Sequence, residues 1–157
     1  MENTLIRKLT WLLERILIAL SLLISIVVFL QVVFRYVLSQ PLFWSEELPR
    51  YLLIWTTFLA AALAQKHRAH INITLAVNLL PRRIQKWLRI LTDILICGFL
   101  GVLVYSGSLV SRVTLHHRST ALQIPMAAVY LALPVGATLM MLYLLLQIID
   151  DVRNPSA

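Results

Sequence analysis

Residues 51–64 carry no charge, and the two ends of that stretch differ in character. Before it come Glu46, Glu47 and Arg50; after it come Lys66, His67, Arg68 and His70. An apolar rod with acids at one end and bases at the other suits a helix that crosses a bilayer. The basic end favours the cytoplasmic face, because cytoplasmic loops carry an excess of Lys and Arg. This one stretch therefore predicts both a membrane location and a direction.

The rest of the chain repeats the pattern. Residues 16–34 run without a charge, with Ser21, Ser25 and Gln31 as their polar members. At about 1.5 Å per residue such a run nearly crosses a hydrocarbon core of about 30 Å. A third span is predicted from near Trp87 to near Ser111, and contains Asp93 one turn after Arg89. An acid inside a span is a functional suspect. Here Arg89, at i,i+4, is the expected structural partner. Gly98, Gly101 and Gly107 allow close helix approach on this span. From Ser119 to Ile149 no charge appears, which is too long for one simple crossing. Pro125 is predicted to end a surface or re-entrant segment, so that the fourth span starts near Met126. Pro134, inside it, removes a backbone donor and predicts a kink.

Composition agrees. Of 157 residues, 60% are hydrophobic and 13% charged, against about half and about a quarter in soluble domains. Mean hydropathy is +0.83. The net charge of +7 does not point to nucleic acid, because the bases lie between apolar runs rather than in a long basic tract. Loop charge facing anionic lipid accounts for them. A single cysteine, Cys97, excludes an intrachain disulfide and a multi-cysteine metal site. The first apolar run is too long for a signal-peptide core of roughly 7–15 residues, so no cleavable leader is expected.

Residues 66–89 form the most basic loop, with Lys66, Arg68, Arg82, Arg83, Lys86 and Arg89. Within it, residues 70–80 are apolar but too short to cross, and Pro81 breaks them. A segment of about 70–86 lying along the cytoplasmic surface is expected, with Trp87 as an interface anchor. Lys66, Arg68, Arg82, Arg83, Lys86 and Trp87 are the membrane-surface candidates. The fold class read from the sequence is an all-α integral membrane protein. It has four transmembrane helices, at about 16–36, 46–65, 88–111 and 126–149, plus a cytoplasmic interfacial amphipathic segment. Nine Lys and Arg residues (7, 8, 66, 68, 82, 83, 86, 89 and 153) fall on one side; Arg35, Arg50, Arg112 and Arg118 fall on the other. The positive-inside rule then places both termini in the cytoplasm.

Three motifs in order, SEELPRYLLIWTTFLAAALAQKHRAHI, then LPRR, then STALQIPMAAVYLALPVG, resemble the small membrane subunit, DctQ type, of tripartite ATP-independent periplasmic (TRAP) transporters. Two positions depart from the family pattern. Leu59, Ala60, Ala61 and Ala62 stand where glycine is frequent, and Asn72 and Thr74 replace an acid after His70 and Ile71. The resemblance implies a scaffold beside a large, moving subunit that holds the sodium and substrate sites. It also implies a periplasmic binding protein delivering an organic acid, a bacterial inner-membrane location, and no cofactor in this chain. A standalone four-helix transporter acting as a homo-oligomer is the alternative.

Other chemistry is weakly supported. His67 and His70, and His116 with His117, fall in predicted loops on opposite sides, whereas haem wants ligands from facing helices. No nucleophile elbow, HExxH or phosphate loop is present, so no enzyme is expected. The residues expected to meet a partner are Glu46, Glu47, Arg50, Trp55, Ile124, Pro125, Met126, Tyr130 and Pro134. Glu46 and Arg50 are spaced i,i+4 with the acid first, the favourable order for a pair. Two acids facing one arginine predict that one acid stays free for a basic residue of a partner.

Overall fold

The computed structural model describes residues 4–40, 42–66 and 82–153. They form helix α1 (Thr4–Tyr36), a 3-10 turn (Phe43–Ser45), α2 (Glu47–Lys66), α3 (Arg82–Val113), α4 (Met126–Tyr130) and α5 (Ala132–Arg153). Among the described residues no strand forms beyond one isolated antiparallel bridge between Arg118 and Pro125. A chain this apolar has few other choices, because a helix satisfies every backbone group internally where no water can.

Among the described residues three segments are long and apolar enough to cross a membrane: Ile6–Tyr36, Ile90–Val113 and Met126–Ile149. Helix α2 is not among them, since Glu47, Arg50 and Lys66 fall within its 20 residues. Two helices extend beyond the membrane spans expected from the sequence. Helix α1 begins at Thr4 rather than near residue 16, because Arg7, Lys8, Glu14 and Arg15 are sound helix formers and Arg15 stacks over the Trp11 ring one turn earlier, at 5.2 Å. Helix α3 begins at Arg82 rather than near residue 88. Arg82, Arg83, Lys86 and Trp87 therefore sit in its first turns. The remainder of the expected interfacial segment, with Arg68, His67 and His70, lies outside the described residues.

Helix α5 is central. On one side Leu13 of α1, Leu59 and Ala62 of α2 and Tyr143 of α5 form a buried cluster. On the other, Leu100 of α3 joins Ala137 and Leu144 of α5. Met140 packs against both clusters. Helix α2 packs against α5 and α1, and α3 packs against α5 and α4. The helices make an open row with α1 and α3 at its edges, not a closed bundle.

Side chains fix the directions. Thr10, near the start of α1, meets Tyr143, near the end of α5, with their hydroxyls 3.2 Å apart. The Thr10 hydroxyl donates to Ile6 O at 2.9 Å, which leaves the Tyr143 hydroxyl to donate to Thr10. Gln147 Nε2 donates to Gln65 O at 2.7 Å and to Lys66 O at 3.1 Å. It thereby covers carbonyls that the end of α2 leaves without helical partners. At the opposite end of the row, Tyr51 Oη donates to Met126 Sδ at 3.7 Å and Trp55 Nε1 donates to Ala128 O at 3.1 Å. Helices α2 and α5 thus run parallel, while α1 and α3 run against them. The start of α1 and the end of α5 lie at one end of the row.

Small residues bring the helices close. A Cβ on Gly136 would stand 2.6 Å from Phe58 Cβ and 3.0 Å from Phe58 O, so α2 and α5 cross there backbone to backbone. Gly107 is similarly pressed, by Leu133 and Pro134. Gly98 meets nothing within 4 Å, and Gly101 meets only Met141 Cε, at 3.9 Å. Of the three glycines expected to mark close approach, Gly107 alone does so.

Candidate functional site

The residues singled out from the sequence converge at the end of the row where α2 begins. Ser45 does not cap α2. It belongs to the preceding 3-10 turn, is buried, and its hydroxyl donates to Leu42 O at 2.8 Å. Glu46 stands just before the first residue of α2 with helical backbone angles, φ −88° and ψ −33°, yet makes no ion pair with Arg50. Its Oε1 lies 3.6 Å from Arg35 Nη1 instead, an exposed pair that joins the end of α1 to the start of α2.

Glu47 is bound more firmly. Its Oε1 accepts the N–H groups of Thr120, at 3.1 Å, and Ala121, at 3.0 Å; its Oε2 accepts that of Leu122, at 3.1 Å. Desolvation pushes this carboxyl up. The N–H donors of Leu122, Ala121 and Thr120, with the nearby Ser119 hydroxyl, outweigh it and hold the group below its ordinary value. Ser119 Oγ is buried and has no hydrogen-bond partner among the described residues. Of the two acids expected to leave one for a partner, Glu46 makes the exposed pair with Arg35 and Glu47 accepts three N–H groups. The group left over is Arg50, which is exposed and makes no ion pair among the described residues.

The loop that Glu47 holds is a closed turn. Ser119 N donates to Ile124 O at 2.9 Å and Met126 N donates to His117 O at 2.8 Å. Gln123 takes a left-handed φ of 55° inside it. Pro125, extended at φ −65° and ψ 126°, leads into α4. Ile124 and Met126 are half-buried, and Pro125 and Tyr130 are exposed. Trp55 and Met126 are occupied inside the chain, holding α4 to α2.

Pro134 also turns inward. It is buried, and its ring faces the backbone of Gly107. The helix breaks at Leu131, between α4 and α5, just where the missing proline donor and the ring's clash with the carbonyl four residues earlier would act. Leu131 N to Ala127 O, at 2.9 Å, and Val135 N to Leu131 O, at 3.1 Å, keep the chain on course through the break.

Elsewhere the site candidates are sparse. The two best-formed hollows are a shallow groove on the outer face of α1, lined by Leu17, Ser21 and Ser25 among others, and an open cleft bounded by Phe43, Glu46, Glu47, Arg50, Thr120 and Ala121. His116 and His117 are exposed in the turn after α3. Among the described residues no group of three or more His, Cys, Asp or Glu side chains comes together to hold a metal ion. Asp93 is half-buried and engaged; the side chain of Arg89, its expected partner, lies outside the described residues. Arg82, Arg83, Lys86 and Trp87 share the start of α3 with no described side-chain geometry.

Sequence comparison places these features. Residues 24–154 match the family described as tripartite ATP-independent periplasmic transporters, DctQ component. A small permease protein assigned to a TRAP transporter in Haemophilus influenzae is 34% identical over 143 residues, which covers 89% of this chain and 87% of that protein. The sialic acid TRAP transporter small permease protein SiaQ of Vibrio cholerae is 28% identical over 106 residues, 68% of this chain and 61% of SiaQ. The isethionate TRAP transporter permease protein DctMQ of Oleidesulfovibrio alaskensis is 29% identical over 145 residues, 87% of this chain but 23% of that longer protein.

Proposed function

The chain belongs to the DctQ component family of TRAP transporters, and from that premise we propose that it is the scaffold subunit of a sodium-driven importer of an organic acid. In this reading a large membrane subunit carries the sodium and the substrate, and a periplasmic binding protein delivers that substrate. The observation that carries the reading is the family match over residues 24–154. The name DctMQ, borne by a relative of which this chain covers 23%, is in keeping with a small part that works beside a much larger one.

The packing supports a supporting role. A transporter encloses its site between helices and moves one part against another. Among the described residues, the groove on α1 and the cleft beside Arg50 both open to the outside. The row of helices leaves large apolar side chains exposed along both edges: Leu22, Ile26 and Phe29 on α1, and Leu95, Phe99 and Val102 on α3. Such faces are covered by lipid tails or by a larger membrane protein, and they suit a flat brace better than a conduit.

Four crossings, with both termini cytoplasmic, complete the proposal. The 20 residues of α2 reach about 30 Å, the thickness of the hydrocarbon core. Its parallel course beside α5 gives it a neighbour along its length. Glu46, Glu47 and Arg50 then lie at the periplasmic end of that crossing. Lys66 and the start of α3 lie at the cytoplasmic face with the proposed interfacial segment of about 70–86.

Co-purification tests the assignment. The tagged chain is expected to bring down the large membrane protein encoded beside it in a fixed ratio. If the purified chain instead forms a homo-oligomer and moves substrate across liposomes alone, it is a transporter in its own right.

A further inference from the structure

The charge-free stretch of α1 is closed at each end by an arginine lying on an aromatic ring. Arg15 sits over Trp11 at 5.2 Å, and Arg35 over Tyr36 at 5.9 Å. The rise from residue 15 to residue 35 is about 30 Å, the thickness of the hydrocarbon core. Arg15 reaches back one turn, and Arg35 reaches toward Tyr36 and Glu46, so both guanidinium groups leave the hydrocarbon for headgroup depth. Trp11 and Tyr36 are exposed, as rings at a lipid–water boundary are. Among the described residues these are the two arginine–aromatic stacks, and both belong to α1. The edge of the row at α1 is thus fitted to a bilayer at both ends. A groove of about 350 Å³ lies on this helix, lined by Leu17, Ile18, Ser21, Leu22 and Ser25. It starts within a turn of Arg15 and ends about 15 Å beyond it, at the middle of the core. Helical spacing puts Arg7, Trp11, Ile18, Ser21 and Ser25 on one stripe. Arg7, Lys8 and Arg15 are exposed near its lower end, against one half-buried acid, Glu14.

We propose that the groove holds one anionic glycerophospholipid of the cytoplasmic leaflet, with its phosphate on Arg15 and Arg7 and an acyl chain between Leu17, Ser21, Leu22 and Ser25. The leaflet follows from the four-crossing reading, in which α1 starts in the cytoplasm. The order of groups along the helix matches that of a lipid: bases and a tryptophan at headgroup depth, then an apolar groove that stops at mid-bilayer. Stacking on Trp11 occupies the face of the Arg15 guanidinium and leaves its edge N–H groups for phosphate oxygens. Three exposed bases against one acid favour an anionic headgroup. Inside the groove the small Ser21 and Ser25 leave room between larger neighbours. The Ser25 hydroxyl already donates to Ser21 O at 2.9 Å, so it asks no polar partner of an apolar chain. A helix of another protein would continue past mid-bilayer, whereas a single acyl chain ends there.

Native mass spectrometry of the full-length chain in mild detergent tests this, with phosphatidylglycerol as the probe and diacylglycerol as its phosphate-free control. The wild type is expected to carry one phosphatidylglycerol per chain and to retain no diacylglycerol. Arg15→Gln should weaken the binding about tenfold, and Arg15→Lys should recover part of the loss. Ser21→Leu fills the groove without touching a charge and should weaken binding as well. Arg112→Gln, at the other end of the row, should bind as the wild type does. Equal phosphatidylglycerol occupancy in the wild type, Arg15→Gln and Ser21→Leu overturns the site, and so does equal retention of diacylglycerol. A Ser21→Leu chain that keeps its phospholipid but no longer brings down the large subunit assigns the groove to a protein helix and overturns it too. The lipid measurement needs no large subunit, so its failure and that of the scaffold reading are told apart.

Discussion

Glu47 shows how one carboxylate can order a distant loop. Its three N–H donors come from residues 73 to 75 positions away in the chain. Donors that favour the charged form lower a carboxyl's pKa, and the same interaction stabilises the fold whenever the group is ionised. Because the folded value is depressed, this contribution is complete above the ordinary carboxylate range and is lost as pH falls through the lowered folded value. Hydrogen-exchange protection of the Thr120, Ala121 and Leu122 amides should therefore hold at neutral pH and decline only in acid. Glu47→Gln, which keeps one acceptor oxygen and no charge, should lower that protection at neutral pH while leaving the α2 amides as they were. Unchanged protection in this variant would show that the turn closes without the carboxylate. Arg35 and Glu46 sit in a different regime, since both are exposed and such pairs contribute little.

At the scale of elements, α5 gains its central place through small residues as much as large ones. Ala132 and Ala137 are fully buried on it, and Ala62 is fully buried on α2. Gly136 lies against the backbone of Phe58, which cannot rotate away. Gly107 meets the end of Leu133, which can, and the Pro134 ring, which cannot. Overpacking typically costs about 1–3 kcal/mol. Gly136→Ala should fall at the upper part of that range, Gly107→Ala below it, and Gly98→Ala should be neutral or stabilising. Thermal unfolding in detergent ranks the three, and equal midpoints would refute the crossing geometry. The sequence exposed this unevenly. Pro134 was legible as a break, because a missing donor acts on its own helix. The role of Gly136 was not, because nothing local to VGAT tells which helix lies opposite.

For the whole molecule, the parallel course of α2 beside α5 puts the starts of both on one side, and the Lys and Arg count predicts that this side is periplasmic. Cysteines introduced one at a time in a Cys97→Ala background should report it. Gln40→Cys is expected to react with an impermeant reagent from the periplasm, and Arg83→Cys only once the cytoplasmic face is opened. The reverse pattern would invert the molecule, and labelling of both from one side would remove the α2 crossing between them. The same layout explains why apolar surface remains at both edges. A single row of helices has no interior in which to bury it, so the chain relies on lipid or on a larger neighbour.

The sequence by itself settled that this is an all-helical membrane chain and which family it belongs to. Apolar runs, the prolines that end or kink segments and the motif order are properties of neighbouring residues, and a helix in lipid needs nothing beyond its own backbone. Tertiary structure decided the pairings. Spacing along one helix proposed Glu46 with Arg50, but the end of α1 brings Arg35 to Glu46 instead. Local periodicity reaches about four residues. The contacts of Glu47 with Thr120, Thr10 with Tyr143 and Gln147 with Gln65 span far more than that, and only the packing of the row brings them together.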